Sequence, residues 1–482
     1  MNCCFVSISN DQKAPPPYNC AFILNSALEA PFDSQKTKKD AFSSRLGFIL
    51  STAGSAIGLA NIWKFPYIVG KFGGGAFIAL YLIFLALIGI PAFISEVLIG
   101  KSTQKTPALA FQELSGTKSL FWKKTGTLTI WTGFLVSSFY SVIAGWILGY
   151  SFQAVMGRLS DIHDIPSAHT HYITLMGDPL WTTFFHALFM GMCLWFLLGG
   201  IKKGIEFCNK LFMPLFFLIL FIIAGYALRL DTADSVLSFM TSLDFTSIPP
   251  QAVIIALGHA FFTLSVGQGT LVTYGSYLKP KEKMLSSSVY VIVADTLVSL
   301  LAAFCILSIV FSANMEMEFG PGLIFETLPT IFSKITFGSA FSVLFFSLVF
   351  IAALTSQVSA LEPLISHLAQ NSQLQRKKAV WIVTSASFLL GVPSALSMNV
   401  LSTYTFFNLS YLEVMNFITT SILIPLGGFA AVILVGWRWG IFKALKALHL
   451  HQRTLRAYFM ITIKFTAPIL IAFVFLHALG LI

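Results

Sequence analysis

Long apolar stretches alternate with short polar connections along almost the whole chain. Eleven of these stretches are long enough to cross a bilayer, which takes about 20 apolar residues each. We number them spans 1 to 11, and they lie near 46–70, 75–99, 127–155, 179–199, 206–229, 249–277, 285–312, 338–369, 379–397, 410–436 and 457–480. The pattern predicts an all-α integral membrane protein with 11 transmembrane helices.

Spans 1 and 6 are interrupted midway by glycine and small polar residues. The first interruption reads Gly-Ser-Ala-Ile-Gly-Leu-Ala-Asn at 54–61, and the second reads Thr-Leu-Ser-Val-Gly-Gln-Gly at 263–269. Lipid cannot hydrogen-bond the backbone groups that a break releases, so protein must bury them or they must line a cavity. Paired breaks in two halves of a membrane protein indicate the binding site of a secondary transporter.

The two breaks also indicate an internal repeat. Spans 1–5 and spans 6–10 each open with an interrupted helix, and five spans reverse the direction in which the second set enters the membrane. We therefore predict a 5+5 inverted repeat within a single transporter domain, residues 39–482. Repeat one covers about 46–229, repeat two about 249–436, and an extra helix about 457–480.

Composition and charge fix the class of protein and its orientation. Only 10% of the 482 residues are charged, against about 25% in soluble domains. The net charge of +10 does not mark a nucleic-acid partner, because the cations concentrate in alternate connections. This positive-inside asymmetry predicts a cytoplasmic N-terminus and, with 11 spans, an external C-terminus. We also expect a short capping helix in the external connection 313–337.

Residues 1–38 are predicted to form a disordered cytoplasmic leader, marked by prolines 15–17. They lack the charged segment and long apolar core of a cleaved signal peptide. The 6 cysteines show no metal-ligand spacing and imply no disulfide framework.

Residues in and around the breaks match a known pattern. The resemblance is to neurotransmitter:sodium symporters, and it rests on 45–67, 71–77, 89–91 with Glu96, 261–267 and 354–356. It covers residues 40–480, and the 11 spans are similar to the bacterial branch of the family. It implies sodium-coupled import of a neutral amino acid by alternating access across a bacterial inner membrane. Sodium would bind at two sites, with no organic cofactor.

The resemblance implies the ligands of both sodium sites. The first site would use the Ala56 carbonyl, the side chains of Asn61, Thr263 and Asp295, and the substrate carboxylate. The second would use the carbonyls of Gly54, Ile57 and Ala352 and the hydroxyls of Thr355 and Ser356. Broken helix ends supply carbonyl oxygens for a sodium ion whatever the family. The alternative for the two hydroxyls is hydrogen bonding to preceding helical carbonyls.

Eleven residues are predicted to bind the substrate: Gly58, Leu59, Ala60, Val136, Tyr140, Phe262, Thr263, Ser265, Gln268, Ser356 and Ala360. N–H groups at the broken helix ends would bind a carboxylate. Amine transporters of the family carry an aspartate at Gly58, so its absence favours an amino acid. By resemblance, Tyr140 contacts the carboxylate and Phe262 is an aromatic lid. Gln268 and Ala360 replace larger apolar residues, which favours a large or polar-edged side chain such as tyrosine or tryptophan.

Asp295 lies within an apolar span, where an unpaired carboxylate is costly. Chloride-dependent members of the family have asparagine there and bind chloride nearby. Tyr81, Thr263 and Ser299 match that chloride shell, but His259 stands where the pattern has glutamine. We therefore expect transport to be chloride-independent. His259 is either a packing residue or a pH-sensitive proton relay.

The family's gates are altered in this sequence. Lys64 and Asn416 replace the arginine and aspartate of the outer gate, which removes a bidentate ion pair. We expect Glu413, three residues before Asn416, to pair with Lys64 instead. The inner gate is also thinned, with substitutions at Lys39, Phe42 and Gln370.

Three other functions remain open at this point. The nearest is a proton-coupled transporter of the related amino acid–polyamine–organocation superfamily, which need not keep Asn61, Asp295, Thr355 and Ser356 together. An intramembrane hydrolase would need a nucleophile motif, and the sequence has no Gly-x-Ser-x-Gly elbow or His-Glu-x-x-His run. A non-transporting sensor would bind a ligand without moving it. We expect a lipid bilayer and a small amino acid as partners and no nucleic acid, and the oligomeric state is open.

Overall fold

The computed structural model describes residues 41–116, 119–313, 322–335, 337–371 and 374–481. Within these ranges the chain forms helices joined by turns and loops, and its extended pairing is limited to one bridge between Phe406 and Leu409. The leader at 1–38 and the inner-gate residue Lys39 lie outside the described residues.

Nine of the described helices are long and apolar enough to cross a membrane. They correspond to spans 2–5 and 7–11 and comprise Gly75–Thr103, Leu120–Val155, Pro179–Leu198, Ile201–Ala227, Met284–Ser312, Gly338–Asn371, Arg376–Ala395, Tyr411–Arg438 and Arg453–Ala478. Span 3 begins earlier than its hydropathy predicts, at Leu120, and runs for 36 residues.

Span 1 is broken where the glycine pattern predicts. Its halves, Arg45–Ala56 and Ala60–Lys71, are bent by 56°. The helix ends because Ile57 has an extended backbone with ψ 104°, which carries the chain away from the helix axis. Hydrogen bonding resumes in the next half as a π-helical turn, Ala60–Lys64.

Span 6 is broken over a longer segment. Its halves are Pro250–Phe262 and Thr270–Ser276, and the backbone between them has positive φ at Ser265 (55°), Gly267 (85°) and Gly269 (73°). Positive φ is readily accessible to glycine and strained for serine. Each half is too short to cross a bilayer alone, so the described residues hold ten crossings when span 1 is counted as one. The count of eleven stays a prediction.

Shorter helices connect the spans. The α-helices are Pro107–Leu114, Ile165–Gly177, Ala233–Thr241, Leu328–Lys334 and Ile441–Ala447, and the 3₁₀ turns are Arg158–Asp161 and Phe245–Ser247. The π-helical turn Leu323–Thr327 also lies in a connection, whereas other π-helical turns lie inside the spans, at Leu85–Gly89, Ile201–Ile205, Ile418–Leu423, Leu434–Arg438 and Thr462–Thr466. The helix expected in the connection 313–337 is present as Leu323–Thr327 followed by Leu328–Lys334.

Close backbone contacts join span 2 to the second half of span 6. A Cβ on Gly100 would lie 1.9 Å from the carbonyl oxygen of Val272, and one on Gly275 would lie 2.4 Å from that of Val97. The two helices therefore touch through main-chain atoms at two points, and both contacts require glycine.

The first half of span 1 lies at the centre of the bundle. Arg45–Ala56 packs against spans 5, 7 and 8, and the long helices of spans 3 and 8 pack along each other beside it. Seven consecutive residues before the break, 51–56 together with Ile57, are buried. The unwound backbone is thus enclosed by protein, as a break at this depth requires.

Candidate functional site

The break in span 1 gathers backbone oxygens around one hydroxyl of span 8. The Ser356 Oγ lies 3.1 Å from the Gly54 carbonyl oxygen, 3.4 Å from that of Ser55 and 3.1 Å from that of Ile57. A hydroxyl donates a single proton, so at least two of these three carbonyls lack its hydrogen. The cluster is rich in acceptors, which is the property a cation site needs.

Thr355 is the other hydroxyl predicted at this second sodium site. Its Oγ1 donates to the carbonyl oxygens of Ile351, at 3.0 Å, and Ala352, at 3.2 Å, in its own helix. This is the ordinary pattern for a membrane threonine. Its Cβ would also lie 3.1 Å from a Cβ at Gly54. The structure therefore brings all five predicted ligands together, while both readings of Thr355 fit its geometry.

A second polar cluster joins spans 1, 6 and 7. The Asn61 Nδ2 lies 2.8 Å from Asp295 Oδ1 and 3.1 Å from Thr263 Oγ1, and the Thr263 hydroxyl donates to Asp295 Oδ2 at 3.0 Å. Asn61 Oδ1 accepts from the Gly58 N–H at 2.9 Å. All three side chains are almost fully buried. These are the side chains predicted for the first sodium site, and Ala56 lies in the adjoining cavity wall.

Two polar side chains, the half-buried Ser265 and the buried Glu96, hold the break in span 6. The Ser265 hydroxyl donates to the Ser55 carbonyl oxygen at 2.8 Å, which ties the two breaks together. The Gly267 N–H donates to Glu96 Oε1 on span 2 at 2.7 Å. Both contacts satisfy groups that the unwinding exposes. They fix the shape of the break without helical hydrogen bonds.

Between the two breaks lies a cavity of about 70 Å³. All eleven predicted substrate-binding residues line it: Gly58, Leu59, Ala60, Val136, Tyr140, Phe262, Thr263, Ser265, Gln268, Ser356 and Ala360. Spans 1, 3, 6 and 8 each contribute to the wall. Their role in binding a substrate stays a prediction, but their convergence on one cavity is a finding.

Gly58 lies at the narrow polar end of this cavity. A Cβ on Gly58 would lie 3.2 Å from Ser356 Oγ and 3.4 Å from the Tyr140 hydroxyl. The Tyr140 hydroxyl has no partner at hydrogen-bond geometry among the described residues, although it lies beside Ser356 and the Leu59 backbone. A donor hydroxyl and the start of the second half of span 1 thus face the same small space.

Three residues of the cavity wall were not predicted to line it, namely Ser55, Ala56 and Gln357. Ala56 was predicted only as a sodium ligand. The Gln357 Nε2 donates to the Ser137 hydroxyl at 2.6 Å and to the Ser137 carbonyl at 3.1 Å, and its Oε1 has no partner among the described residues. A glutamine in an apolar membrane span was the available signal, because polar side chains in such spans usually face the interior.

His259 packs between aromatic rings beside the Asp295 cluster. Its ring stacks on Phe65 with centroids 5.2 Å apart and lies 5.6 Å from the ring of Tyr81. Neither ring nitrogen has a hydrogen-bond partner among the described residues. The packing role fits this geometry, whereas a relay would need a hydrogen-bonded neighbour. The Tyr81 hydroxyl lies beside Thr263 and Ser299, as the chloride-shell pattern predicts.

The expected ion pair between Lys64 and Glu413 is wrong for this structure. Glu413 Oε2 instead accepts from the backbone N–H and the hydroxyl of Ser410, both at 2.8 Å, and so caps the start of its own helix. The Lys64 Nζ lies 5.4 Å from the ring centroid of Phe262. Asn416 is exposed. The charge at Lys64 therefore contacts the predicted lid.

An ion pair absent from the sequence predictions joins spans 8 and 9. Arg376 donates to both oxygens of Glu362, at 2.9 and 2.6 Å, and the Tyr277 hydroxyl donates to Glu362 Oε1 at 2.5 Å. Phe42 packs edge-on against Tyr277. The predicted inner-gate residue Phe42 thus lies beside this ion pair through Tyr277, and the weakened inner gate stays a prediction.

The start of span 1 is held by span 5. Glu206 Oε2 accepts from the Ser43 N–H at 2.8 Å, and Glu206 Oε1 pairs with Lys210 at 2.7 Å. A Cβ on Gly47 would lie 2.0 Å from Glu206 Oε1, so this close approach also depends on glycine.

Comparisons with known proteins agree with this geometry. The model of the sodium:neurotransmitter symporter family matches residues 39–163 and 167–481. An uncharacterised sodium-dependent transporter of Bacillus subtilis, YhdH, is 31% identical over 444 residues, covering 92% of this chain and 98% of the relative. Another uncharacterised sodium-dependent transporter, MJ1319 of Methanocaldococcus jannaschii, is 30% identical, and the match covers 84% of this chain and 82% of the relative.

A solved structure extends the likeness to the fold. The crystal structure of MhsT in complex with L-phenylalanine superposes with a TM-score of 0.83 at 38% identity, covering 91% of this chain and 99% of MhsT. This confirms the predicted all-α inverted-repeat fold with broken helices 1 and 6. Because the relatives are sodium-dependent transporters, the hydrolase alternative is set aside. The chain belongs to the sodium:neurotransmitter symporter family and is a membrane transporter that uses sodium, not an enzyme.

Proposed function

We propose that this protein imports a neutral amino acid together with sodium, independently of chloride. The observation that carries the proposal is the cavity between the two breaks, because it has acceptor-rich cation sites next to a donor-lined polar end. A zwitterion needs both kinds of surroundings. Alternating access of this cavity to the two sides of the membrane would move the solute.

The polar end of the cavity suits a carboxylate. The first N–H groups after the break in span 1 have no preceding helical carbonyl to bind, and the helix dipole favours an anion there. The Tyr140 hydroxyl faces the same space beside Gly58. Since Gly58 brings no carboxylate of its own, the substrate supplies it. This supports an amino acid over an amine.

The rest of the cavity wall suits a large side chain with a polar edge. Its wall includes the apolar residues Val136, Phe262 and Ala360 together with the amides of Gln268 and Gln357. Tyrosine and tryptophan combine a large apolar surface with one donor group. The bound L-phenylalanine in the related MhsT structure supports an aromatic side chain of this size.

Two sodium ions fit the oxygen clusters on either side of the substrate. The first would lie among Asn61, Thr263 and Asp295, where the carboxylate supplies a fixed negative charge. The second would lie among the Gly54 and Ile57 carbonyls and Ser356. Each inward sodium gains about 2.3 kcal/mol per 100 mV of membrane potential, so two ions can concentrate a neutral solute.

Chloride independence follows from the charge at Asp295. Among the described residues, its carboxylate accepts hydrogen bonds from the Asn61 amide and the Thr263 hydroxyl and forms no ion pair with a cationic side chain, so its charge remains available to the sodium ion. A bound chloride in the same neighbourhood would repel this carboxylate. We also propose that the membrane is a bacterial inner membrane, with the N-terminus in the cytoplasm and the C-terminus outside.

Uptake by proteoliposomes tests the proposal. Radiolabelled tryptophan, tyrosine, phenylalanine, leucine and alanine would be offered under a sodium gradient, with potassium in place of sodium and gluconate in place of chloride in parallel samples. We expect uptake that needs sodium, persists without chloride and favours aromatic amino acids. Uptake that persists without sodium but follows a proton gradient would instead support the proton-coupled alternative.

A further inference from the structure

A buried amide of span 5, that of Asn209, contacts span 1 next to its break. Asn209 lies in the helix Glu206–Ala227 and is fully buried. Its Oδ1 lies 1.9 Å from where a Cβ on Gly54 would be, so only glycine at 54 permits the approach. The amide oxygen is therefore in van der Waals contact with the backbone that carries the Gly54 carbonyl.

The orientation of this amide is fixed by its nitrogen. Asn209 Nδ2 donates to the carbonyl oxygen of Ile205, one turn earlier, at 2.9 Å. The oxygen end is consequently the end that faces Gly54, and it has no hydrogen-bond donor among the described residues. Buried acceptors are rarely left unpaired, and each one requires an explanation.

The surroundings contain more acceptors than donors. The Ser55 carbonyl accepts from the Ser265 hydroxyl, which leaves the single proton of the Ser356 hydroxyl for the carbonyls of Gly54 and Ile57. Thr355 from span 8 packs on the same Gly54. Asn209 adds a further unpaired oxygen to this junction of spans 1, 5 and 8. Such a set of oxygens is satisfied by a cation rather than by another protein group.

We propose that Asn209 is a further residue of the second sodium site, with its amide oxygen stabilising the bound ion from span 5. The inference rests on the proposed function, which places sodium between spans 1 and 8, and it adds a third helix to that site. A sodium ion bound at this site then joins three helices, spans 1, 5 and 8.

Sodium binding by variants of Asn209 tests this role. Asn209→Leu keeps the size of the side chain and removes the oxygen, whereas Asn209→Asp keeps an oxygen and adds a negative charge. Purified proteins would be titrated with ²²Na⁺, and their unfolding temperatures followed against sodium, with choline holding ionic strength constant. No amino acid would be present, so that the first site lacks the substrate carboxylate.

We expect Asn209→Leu to raise the half-saturating sodium concentration about tenfold, which corresponds to about 1.4 kcal/mol. Asn209→Asp should lower it below the wild-type value. Met213→Leu, a buried volume-conserving change one turn along the same helix, is the matched control and should leave sodium affinity unchanged.

Wild-type sodium affinity in Asn209→Leu would overturn the inference while leaving the proposed function intact. If that variant does not fold, unchanged or weakened sodium affinity in Asn209→Asp would overturn it equally. Failure of the proposed function looks different, because the wild-type protein itself would then show neither saturable sodium binding nor sodium-dependent uptake.

Discussion

The amide nitrogen of Asn61 lies 2.8 Å from the carboxylate of Asp295, joining the broken part of span 1 to the middle of span 7. Both side chains are fully buried. The carboxylate accepts hydrogen bonds from an amide and a hydroxyl, and neither neutralises its charge. Through Asn61, the buried charge of Asp295 is therefore joined directly to the unwound part of span 1.

Replacing Asp295 by asparagine should make transport depend on chloride. The substitution keeps the size of the side chain and removes its negative charge. We expect uptake without chloride to fall about tenfold or more, since a buried ion pair that loses one partner is strongly destabilised. Chloride should restore part of the activity. Normal uptake by Asp295→Asn in chloride-free buffer would contradict the prediction, and the exposed Asp161→Asn provides a control.

A side chain at Gly58 should block the polar end of the cavity. In Gly58→Ala the added Cβ would lie 3.2 Å from Ser356 Oγ and 3.4 Å from the Tyr140 hydroxyl, within the space we assign to the substrate carboxylate. We expect the KM for the amino acid to rise about tenfold or more, as contacts at a tight polar site discriminate strongly. The control is Gly258→Ala in span 6, where a Cβ meets nothing within 4 Å. Equal KM values for the two variants would refute this assignment.

Gln268→Leu should change which amino acids are preferred. The Gln268 amide lines the cavity and, together with Gln357, makes this wall polar. A net hydrogen bond is worth about 0.5–1.5 kcal/mol, so uptake of tyrosine or tryptophan relative to phenylalanine should fall by about two- to tenfold. Competition assays against labelled phenylalanine measure the ratio. An unchanged ratio would mean that the substrate does not bond to Gln268.

Removing Arg376 should destabilise the protein more than removing the whole ion pair. Among the described residues, Arg376→Met leaves the buried Glu362 carboxylate with only the Tyr277 hydroxyl as a partner. The expected loss is about 3–5 kcal/mol, and the double variant with Glu362→Gln should recover much of it. Thermal unfolding in detergent measures both. Lys377→Met, at the exposed neighbouring position, is the control, and additive losses in the double variant would argue against a coupled pair.

Acid should loosen the connecting helix Ile165–Gly177. Burial, together with nearby Arg158, lowers the pKa of His171 below its ordinary value of about 6.5. The folded state therefore binds fewer protons than the unfolded state, so the stability contributed by this region falls as pH drops below about 6.5. The protection of this helix against hydrogen exchange, relative to the intrinsic exchange rate at each pH, should fall between about pH 6.5 and 5, and His171→Phe should abolish the change. The same pH dependence in that variant would exclude His171 as its source.

The fold followed from features that a single sequence displays directly. Glycines at 54 and 58 and at 267 and 269, together with the small polar residues beside them, mark the two breaks, where the released backbone has to be buried or line a cavity. The length of span 3 was underestimated because its first turns, from Leu120, contain lysines that lower the local hydropathy. Hydropathy identifies the part of a helix that is apolar enough to contact lipid, whereas this helix begins before its apolar part.

The contacts that escaped prediction depend on how helices face one another. Asn209, Gln357 and the pair Glu362–Arg376 sit on spans whose contacts a sequence does not reveal. The Lys64–Glu413 pairing is a different kind of error, since Ser410 and Glu413 have the Ser-x-x-Glu spacing of a capping box. That local signal outweighed the expected long-range ion pair.

Gly100 and Gly275 let the main chains of span 2 and the second half of span 6 meet directly. A joint without intervening side chains has no layer that can shear, because tightly packed atoms allow no gradual sliding. We therefore expect these two segments to move together, with torsions in the positive-φ backbone between Ser265 and Gly269 accommodating any widening of the cavity. A larger residue at Gly100 or Gly275 would separate span 2 from the second half of span 6, so that the cation sites and the substrate cavity would change shape independently.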